Sequence, residues 1–430
     1  MYCGSCMRDN TLVSALQRLG HEALLIPTYT PISTDEPDVS QPQVFFGGIN
    51  VYLEQKFWLF RHTPKFLDRL LNSRRLLRWA SRFAARTRYS ELGELTVSML
   101  QGLSGRQRKE VKRLVTWLRE VAQPQIVVLT NALLSGILPA LRNDLGVPTF
   151  VTLQGDDIFL DALPEMDRQR CFELIRLNCE GAHFICTSRY YADFMSVYLG
   201  LPRDRMHVVY PGLNLAGHGR NEPHESGSDW RPTIGYFARI CPEKGFHNLV
   251  DAFIRLRAQA GAPRAKLKAS GWLGENHKPF FAAQLQALRD AHLAADFEYV
   301  PCPTHTEKVR FLQSLDVLSV PTEYREPKGL YVLEAWANGV PVVQPRHGSF
   351  VELVESTGGG LLVTPGDPDD LALGLRRMLE DHELRRQCGR AGESAVRERF
   401  TAEVMARETL AVLSRYVGDT PVNHAPPAID

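Results

Sequence analysis

Residues 317–343 read VLSVPTEYREPKGLYVLEAWANGVPVV, and this stretch decides the fold. It opens with a short apolar run at 317–320, and a polar loop follows. A helical pattern occupies 330–337 and stops at Gly339, after which 340–343 forms a second apolar run. The stretch therefore predicts a strand, a loop, a helix and a second strand.

The loop of this unit carries candidate binding residues. In a parallel sheet, such a loop lies at the carboxyl edge, where open α/β sheets bind ligands, and the free N–H groups of the first helical turn favour an anion. Glu326 lies in the loop and Glu334 lies one turn inside the helix, so the two carboxylates flank the helix N-terminus. This placement suits hydrogen bonds to sugar hydroxyls.

The spacing of these glutamates resembles a family signature. Seven residues separate Glu326 from Glu334, and further matches follow at Ala335, Gly339, Pro341 and Val342. The pattern resembles the E-x7-E signature of retaining glycosyltransferases of glycosyltransferase family 4. The resemblance implies the GT-B fold, an α/β architecture in which two Rossmann-like domains with parallel sheets face each other across a cleft.

A second segment strengthens the resemblance. Residues 233–237 predict a strand, and residues 238–245, ARICPEKG, resemble the family's G-R-L-x-x-x-K-G element with Ala238 in place of the first glycine. Arg239 and Lys244 would place two cations at the carboxyl end of a strand beside a helix N-terminus, as a diphosphate requires.

The composition is that of an ordinary globular protein. The chain has 430 residues, of which 44% are apolar, and this suits two or three domains with full-sized cores. Lys and Arg total 50 against 49 Asp and Glu, so no overall charge attracts nucleic acid or membrane. The eight cysteines are dispersed, and the one close pair, Cys3 and Cys6, has no second pair at zinc spacing. We expect a cytoplasmic protein without a bound metal or cofactor.

Alternating strand and helix patterns divide the chain into two α/β domains. The first is predicted over residues 1–216 and the second, which would bind the nucleotide sugar, over residues 230–400. A polar stretch at 217–229 predicts the linker, 401–417 a helix that crosses back to the first domain as in relatives, and 418–430 a disordered tail.

The first domain begins with a small-residue loop, a helix, and a strand predicted at 23–26. A Rossmann-like domain should start with a strand that leads into such a loop, and relatives carry one upstream. We therefore expect that the coding start lies upstream of the present residue 1. By resemblance, Gly4 and Ser5 in the loop are candidate contacts in the cleft.

A second candidate loop follows the strand predicted at 149–153. Many relatives carry a histidine, near the transferred sugar, where this chain has Gln154. A glutamine keeps the capacity to hydrogen bond but does not titrate, so it is not a candidate base. Gln154 and Asp156 are candidate acceptor or cleft contacts, while the alternatives for Asp156 and Asp157 are a role in loop structure and a metal site.

Residues 34–103 have the composition of an insertion, and their segment 56–88 interleaves aromatic and basic side chains with Asp68 as the sole acid. One interpretation is a pair of amphipathic helices packed on the first domain. Another is a rim that holds an anionic or lipid-linked acceptor or makes peripheral contact with the inner membrane surface. A nucleic-acid interface lacks any supporting motif.

The resemblance implies a retaining transfer of a sugar from a nucleotide-diphosphate sugar to a saccharide, lipid-linked or small-molecule acceptor. Arg239, Lys244 and Glu326 would be catalytic. The donor would contact Lys328, Gly329, Leu330, Glu334 and Gly271, and Lys328 either touches the phosphate or sugar or points to solvent. The alternatives are a GT-B hydrolase, epimerase or phosphorylase of sugars, and a non-catalytic nucleotide-sugar sensor. The base, sugar and acceptor are left open.

Overall fold

The computed structural model describes residues 4–28, 31–32, 34–42, 44–46, 89–219 and 231–417. Within these ranges, ten strands form two separate sheets, each covered by helices. The predicted α/β class, with parallel sheets in two domains, is confirmed, while the predicted domain boundaries remain predictions. The basic and aromatic segment 56–88 and the tail 418–430 lie outside the described residues, so membrane contact remains a prediction.

The first domain is built on a four-stranded parallel sheet in the order β1-β2-β3-β4. Its elements are α1 (Gly4–Arg18), α2 (Tyr89–Leu100), α3 (Arg108–Trp117), β1 (Val127–Leu129), α4 (Leu138–Asp144), β2 (Thr149–Leu153), α5 (Asp156–Asp161), α6 (Glu165–Asn178), β3 (His183–Cys186), α7 (Arg189–Leu199) and β4 (Met206–Val208).

The second domain has a six-stranded parallel sheet in the order β10-β9-β8-β5-β6-β7. Its elements are β5 (Thr233–Phe237), α8 (Phe246–Ala258), β6 (Lys266–Ser270), α9 (Lys278–Asp290), β7 (Phe297–Tyr299), α10 (His305–Gln313), β8 (Val317–Leu318), α11 (Leu330–Trp336), β9 (Val342–Pro345), α12 (Ser349–Thr357), β10 (Gly360–Val363), α13 (Pro368–Glu380) and α14 (His382–Arg399). The strand order reverses between β5 and β8, and the crevice at such a switch point is where open α/β sheets bind ligands.

The strand, loop, helix and strand predicted at 317–343 are confirmed as β8, α11 and β9. The second strand begins later than predicted, at Val342. The N–H of Val340 donates to the carbonyl of Ala335 at 3.0 Å, and Gly339 takes a positive φ of 64°. Residue 340 therefore belongs to the turn that closes α11, as in a glycine-terminated helix.

The strand predicted at 23–26 is wrong. Among the residues that the structure describes here, this segment makes only single parallel bridges, between Leu25 and Ser40 and between Thr28 and Phe45. Pro27 lies between the two bridged positions and has no N–H to donate, so the ladder is interrupted after one residue pair. The segment 34–42 is therefore tied to the first domain by isolated bonds.

The last helix, α15 (Ala402–Leu413), packs against α1 of the first domain. Leu12 and Leu16 of α1 share a small buried cluster with Met405 and Ala406 of α15. Because α15 follows α14 of the second domain, the chain connects the two domains twice. Of the helices in the described ranges, none combines the length and apolarity needed to cross a membrane.

The domains also meet through one carboxylate. Glu352 of α12 accepts hydrogen bonds from the N–H groups of Arg189 (3.3 Å) and Tyr190 (3.1 Å) and from the hydroxyl of Tyr210 (2.9 Å). Arg189 and Tyr190 begin α7, so the negative charge lies at the positive end of a first-domain helix. This contact is one of those that join the two domains in the arrangement of the structure.

We predict that Glu352→Ala opens the cleft. Hydrogen bonds to a charged group contribute roughly 1.5–3 kcal/mol, so their loss should shift the closed-to-open ratio about tenfold or more. Small-angle X-ray scattering of the unliganded variant should give a larger radius of gyration than the wild type.

The matched control is Glu355→Ala, because Glu355 lies one turn further along α12 and pairs at 2.7 Å with Arg346 of its own domain. Equal radii of gyration for the wild type and both variants would contradict the role of Glu352.

Candidate functional site

Glu326 lies in the loop after β8 and is 3% exposed. Its carboxylate accepts hydrogen bonds from nearby groups of the second domain. Oε2 accepts from Lys244 Nζ at 2.8 Å, from the Tyr324 hydroxyl at 2.8 Å and from the Tyr331 hydroxyl at 3.0 Å, while Oε1 accepts from the N–H groups of Lys328 and Gly329 at 3.3 Å each. The carboxylate is thus fixed from both sides of the switch point.

These contacts keep Glu326 ionised. Burial by itself would raise the pKa of the Glu326 carboxyl, but the Lys244 ammonium and the hydroxyl of Tyr324 outweigh burial and lower the pKa to about 2. Lys244 is held in turn, because its Nζ lies 4.8 Å from the ring centroid of Tyr324 and 5.0 Å from that of Tyr331. A cation over an aromatic face is stabilised by the ring quadrupole.

Arg239 lies in the loop after β5, the strand that pairs with β8. The hydroxyl of Tyr236 donates to the backbone carbonyl of Arg239 at 2.8 Å and fixes the loop. The guanidinium is half-buried and makes no hydrogen bond or ion pair with any described residue. Arg239 and Lys244 therefore follow one central strand, and Glu326 follows its neighbour, so the fold brings these predicted residues to one edge of the sheet.

Gly271 and Gly329 permit close approaches in the same loops. A Cβ on Gly271 would lie 1.8 Å from the carbonyl oxygen of Ala238, and Gly271 has a φ of 138°. Gly329 has a φ of 67°, and a Cβ there would lie 2.9 Å from Leu353 Cδ1. The Gly329 N–H, predicted to face a diphosphate, donates to Glu326 in this structure. Donor contacts of Gly271, Gly329 and Leu330 remain predictions.

Glu334 is buried on α11 and is held by a lysine that the sequence did not single out. Lys308 of α10 donates from Nζ to Glu334 Oε1 at 2.8 Å and also pairs with Asp35 Oδ2 at 2.6 Å. Burial would lower the pKa of Lys308, but the two carboxylates outweigh it and raise that pKa. Because Asp35 belongs to the first domain, this three-residue cluster spans the cleft.

The first turn of α1 faces the loop before α11. Lys328 donates from Nζ to the Ser5 hydroxyl at 2.9 Å, and a Cβ on Gly4 would lie 3.8 Å from the same Nζ. Lys328 therefore bridges the two domains, and the alternative in which it points to solvent is wrong. Thr187 and Ser188 add hydroxyl bonds to the carbonyl of Pro327, at 3.0 and 2.9 Å.

The loop after β2 uses its aspartates internally. Asp156 accepts from the N–H groups of Ala132 (2.7 Å) and Gln154 (3.1 Å), and burial raises the pKa of Asp156 to about 6. Asp157 accepts from the hydroxyl of Tyr191 at 2.6 Å. These bonds favour the loop-structure alternative. Gln154 Nε2 donates to the carbonyl of Thr130 at 2.9 Å, whereas its Oε1 is buried without a partner in the described part of the chain.

Sequence reasoning missed Lys308, Tyr324 and Tyr331. A capping box of Thr304 and Glu307 opens α10, but nothing in the local sequence gave a reason to bury a lysine in that helix. The tyrosines lie on either side of Glu326 in the sequence, at positions where only the folded loop shows that both hydroxyls converge on one oxygen.

Two sequence families match the chain, one in each domain. The family described as "Glycosyl transferase 4-like domain" matches residues 10–212, and the family "Glycosyl transferases group 1" matches residues 221–395.

Individual relatives match about half of the chain. An uncharacterized glycosyltransferase of Methanocaldococcus jannaschii is 26% identical over 242 residues, which are 54% of this chain and 60% of the relative. A D-inositol 3-phosphate glycosyltransferase of Nocardioides sp. is 30% identical over 228 residues, which are 49% of this chain and 48% of the relative. The chain thus spans about half the length of the curated relatives it matches.

Solved structures share the fold. Anabaena HepE in complex with UDP superposes with a TM-score of 0.62 at 18% identity, over 73% of this chain and 84% of HepE. Sucrose-phosphate synthase of Thermosynechococcus elongatus superposes with a TM-score of 0.60 at 20% identity, over 72% of this chain and 77% of the synthase. With both domain families matched in order and the two facing parallel sheets in place, the chain belongs to the GT-B glycosyltransferases of the family 4 type.

Proposed function

We propose that this chain is a retaining glycosyltransferase that moves a sugar from a nucleotide-diphosphate donor to a saccharide, lipid-linked or small-molecule acceptor. One observation supports the proposal: Lys244 pairs with Glu326 at 2.8 Å where the loops after β5 and β8 adjoin, and Arg239 lies in the same loop as Lys244. The family indicates the reaction class, and the charged side chains can stabilise the charges that develop during sugar transfer.

The two cations suit the leaving group. Transfer breaks the bond between sugar C1 and the phosphate oxygen, and the departing nucleoside diphosphate keeps the electron pair. Arg239 has no partner among the described residues, so its five N–H donors are available for that charge. Pre-aimed donors of this kind typically contribute roughly 2.7–4 kcal/mol to the transition state.

Glu326 serves as a fixed negative charge. In the proposed reaction, the acceptor oxygen forms the new bond to C1 on the face that the phosphate leaves, and the acceptor proton passes to the leaving phosphate. A carboxyl with a pKa of about 2 carries no proton to give at neutral pH. Glu326 therefore offsets positive charge near C1, and it accepts hydrogen bonds from sugar hydroxyls in exchange for the long bonds from the Lys328 and Gly329 N–H groups.

Glu334 is the proposed ribose contact. Its Oε1 is bonded to Lys308, which leaves Oε2 for the ribose hydroxyls. HepE was solved with UDP, so uridine diphosphate sugars are the first donors to test.

The test is a thermal-shift panel of nucleotide sugars, followed by product analysis with the stabilising donor. A donor that binds only the folded state raises the melting temperature. A glycosylated product supports the proposal, while free sugar or sugar phosphate indicates a hydrolase or phosphorylase. Binding without turnover on any acceptor would indicate a sensor.

We predict that Arg239→Gln affects binding of the donor diphosphate, whereas Glu334→Gln affects binding of the donor ribose. Arg239→Gln should lower kcat about 100- to 1000-fold and weaken binding of both UDP and inorganic pyrophosphate. Glu334→Gln should weaken UDP binding about 10- to 100-fold and leave pyrophosphate binding unchanged, because the ribose contact is lost while Lys308 keeps Asp35 as its charged partner. Isothermal titration calorimetry and steady-state kinetics measure these effects.

Loss of pyrophosphate binding in Glu334→Gln, or unchanged kinetics in both variants, would contradict the assignment. Lys244→Ala is a poor test, because it leaves the buried Glu326 charge without its ammonium partner. Removing one partner of a buried ion pair typically destabilises a protein by about 3–5 kcal/mol. We therefore expect the Lys244→Ala variant to be less stable than the wild type, whereas removal of an exposed lysine would leave stability nearly unchanged.

We predict that the effect of Glu326→Gln is independent of pH between pH 5 and pH 9. The pKa of Glu326 is depressed from 4.5 to about 2, so the group is ionised throughout this range and loses its charge only below it. The variant should lower kcat/KM by one constant factor, measured as paired pH profiles. A factor that changes through a pKa between 5 and 8 would instead assign proton transfer to Glu326.

A further inference from the structure

A buried arginine lies in a cavity between the two domains. The side chain of Arg8, in the second turn of α1, is 1% exposed. Its Nη1 donates to Asp9 Oδ1 at 2.9 Å, but Nε and Nη2 are buried and find no hydrogen-bond partner among the described residues. Burying a charged group without its full set of partners is unfavourable. The fold therefore keeps a guanidinium only partly satisfied.

The two unsatisfied atoms form one edge of the guanidinium. In the planar group, the N–H of Nε and one N–H of Nη2 point in parallel from the side opposite Nη1. This edge matches the spacing of two oxygens of a phosphate or carboxylate, which it binds with two parallel hydrogen bonds. The bond to Asp9 uses the other side of the group, so the free edge remains intact.

Asp9 anchors Arg8 to the sheet of the first domain. Its Oδ2 accepts from the hydroxyl of Thr130 and from Gln154 Nε2 at 3.4 Å. Thr130 follows β1 and Gln154 follows β2, so both lie at the carboxyl edge of that sheet. The position of the guanidinium is therefore fixed by the elements that face the second domain across the cleft.

The cavity connects Arg8 with the proposed donor site. Arg8 and Glu36 line it from the first domain, and Lys308, Leu330 and Glu334 line it from the second. Lys308 is already bonded to Asp35 and Glu334, so its charge is neutralised within the protein. The free edge of Arg8, with its two N–H donors, therefore lines the same cavity as Glu334, the proposed ribose contact.

We propose that the Nε–Nη2 edge of Arg8 binds a phosphate group of a substrate when the two domains move apart. The cavity of about 20 Å³ in this structure has room for little more than one water molecule, so the phosphate enters as the domains separate. The inference rests on the proposed function, which places a phosphate-bearing substrate in the cleft. Two sources share the chemistry: the diphosphate of the donor, and a phosphate on the acceptor. In either case the first domain contributes a cation to the site, and a bound phosphate completes the hydrogen bonds that the unliganded arginine lacks.

The test compares Arg8→Gln and Arg8→Lys with the control Arg18→Gln. Arg18 lies on the same helix with its side chain 49% exposed, so the control makes the same charge change away from the cavity. Isothermal titration calorimetry measures the binding affinity for UDP, for uridine and for inorganic pyrophosphate. A fourth titration measures the binding of inorganic phosphate to the UDP-saturated protein. Arg8→Gln leaves the carboxylate of Asp9 without its ion-pair partner, so the melting temperature of this unliganded variant should fall, whereas Arg8→Lys keeps a positive charge there. All titrations are therefore run below the lowest melting temperature of the set.

If Arg8 binds the donor diphosphate, both Arg8 variants should bind UDP and pyrophosphate about 10- to 100-fold more weakly than the wild type does, while their affinity for uridine stays unchanged. If Arg8 holds the acceptor, UDP affinity should stay constant, and the variants should lose binding of inorganic phosphate to the UDP-saturated protein. Wild-type affinity of the Arg8 variants for all four probes overturns the proposal.

The proposed function fails separately, when no nucleoside diphosphate binds the wild type. The pyrophosphate and phosphate titrations then decide the role of Arg8 on their own. Binding by the wild type that is lost in Arg8→Gln but kept in Arg18→Gln supports an oxyanion site. Absence of such binding in the wild type overturns it.

Discussion

The ion pair between Lys244 and Glu326 is the contact on which the site depends. The two side chains come from loops after adjacent strands, β5 and β8, and meet at 2.8 Å where the strand order reverses. Either charge alone would be unfavourable at that depth, because desolvation is offset only by a partner and by hydrogen bonds. Tyr324 and Tyr331 supply those bonds, so the carboxylate is fixed and ionised before any ligand arrives.

A second lysine holds the second glutamate of the signature. Lys308 binds Glu334 and reaches Asp35 across the cleft, so the pairing that orients Glu334 also joins the domains. Lys328 with Ser5 and Glu352 with the start of α7 add contacts of the same kind. Polar interfaces of this sort permit domain motion, since each bond has a replacement in water. Closure and site geometry therefore depend on the same few side chains.

Most of the second domain could be predicted from its sequence. The apolar runs and the glycine stop gave β8, α11 and β9, and the motif residues Arg239 and Glu326 lie at the sheet edge that a parallel fold requires. The prediction of a strand at 23–26 was wrong, because Pro27 interrupts the hydrogen-bond ladder and the apolar periodicity does not reveal this interruption. Arg8 and Lys308 were not predicted as site residues, because a cation in an amphipathic helix ordinarily lies on the solvated face.

The fold class, the two domains and the pair of glutamates can be predicted from the chain alone, because periodicity and motif spacing are local properties. Which charges are paired and which remain available depends on the folded arrangement. Lys244 and Lys308 are neutralised by carboxylates distant in sequence, while Arg239 and the Nε–Nη2 edge of Arg8 have no such partner in the described residues. The physical reason is that desolvation and ion pairing depend on what packs around a charge in space.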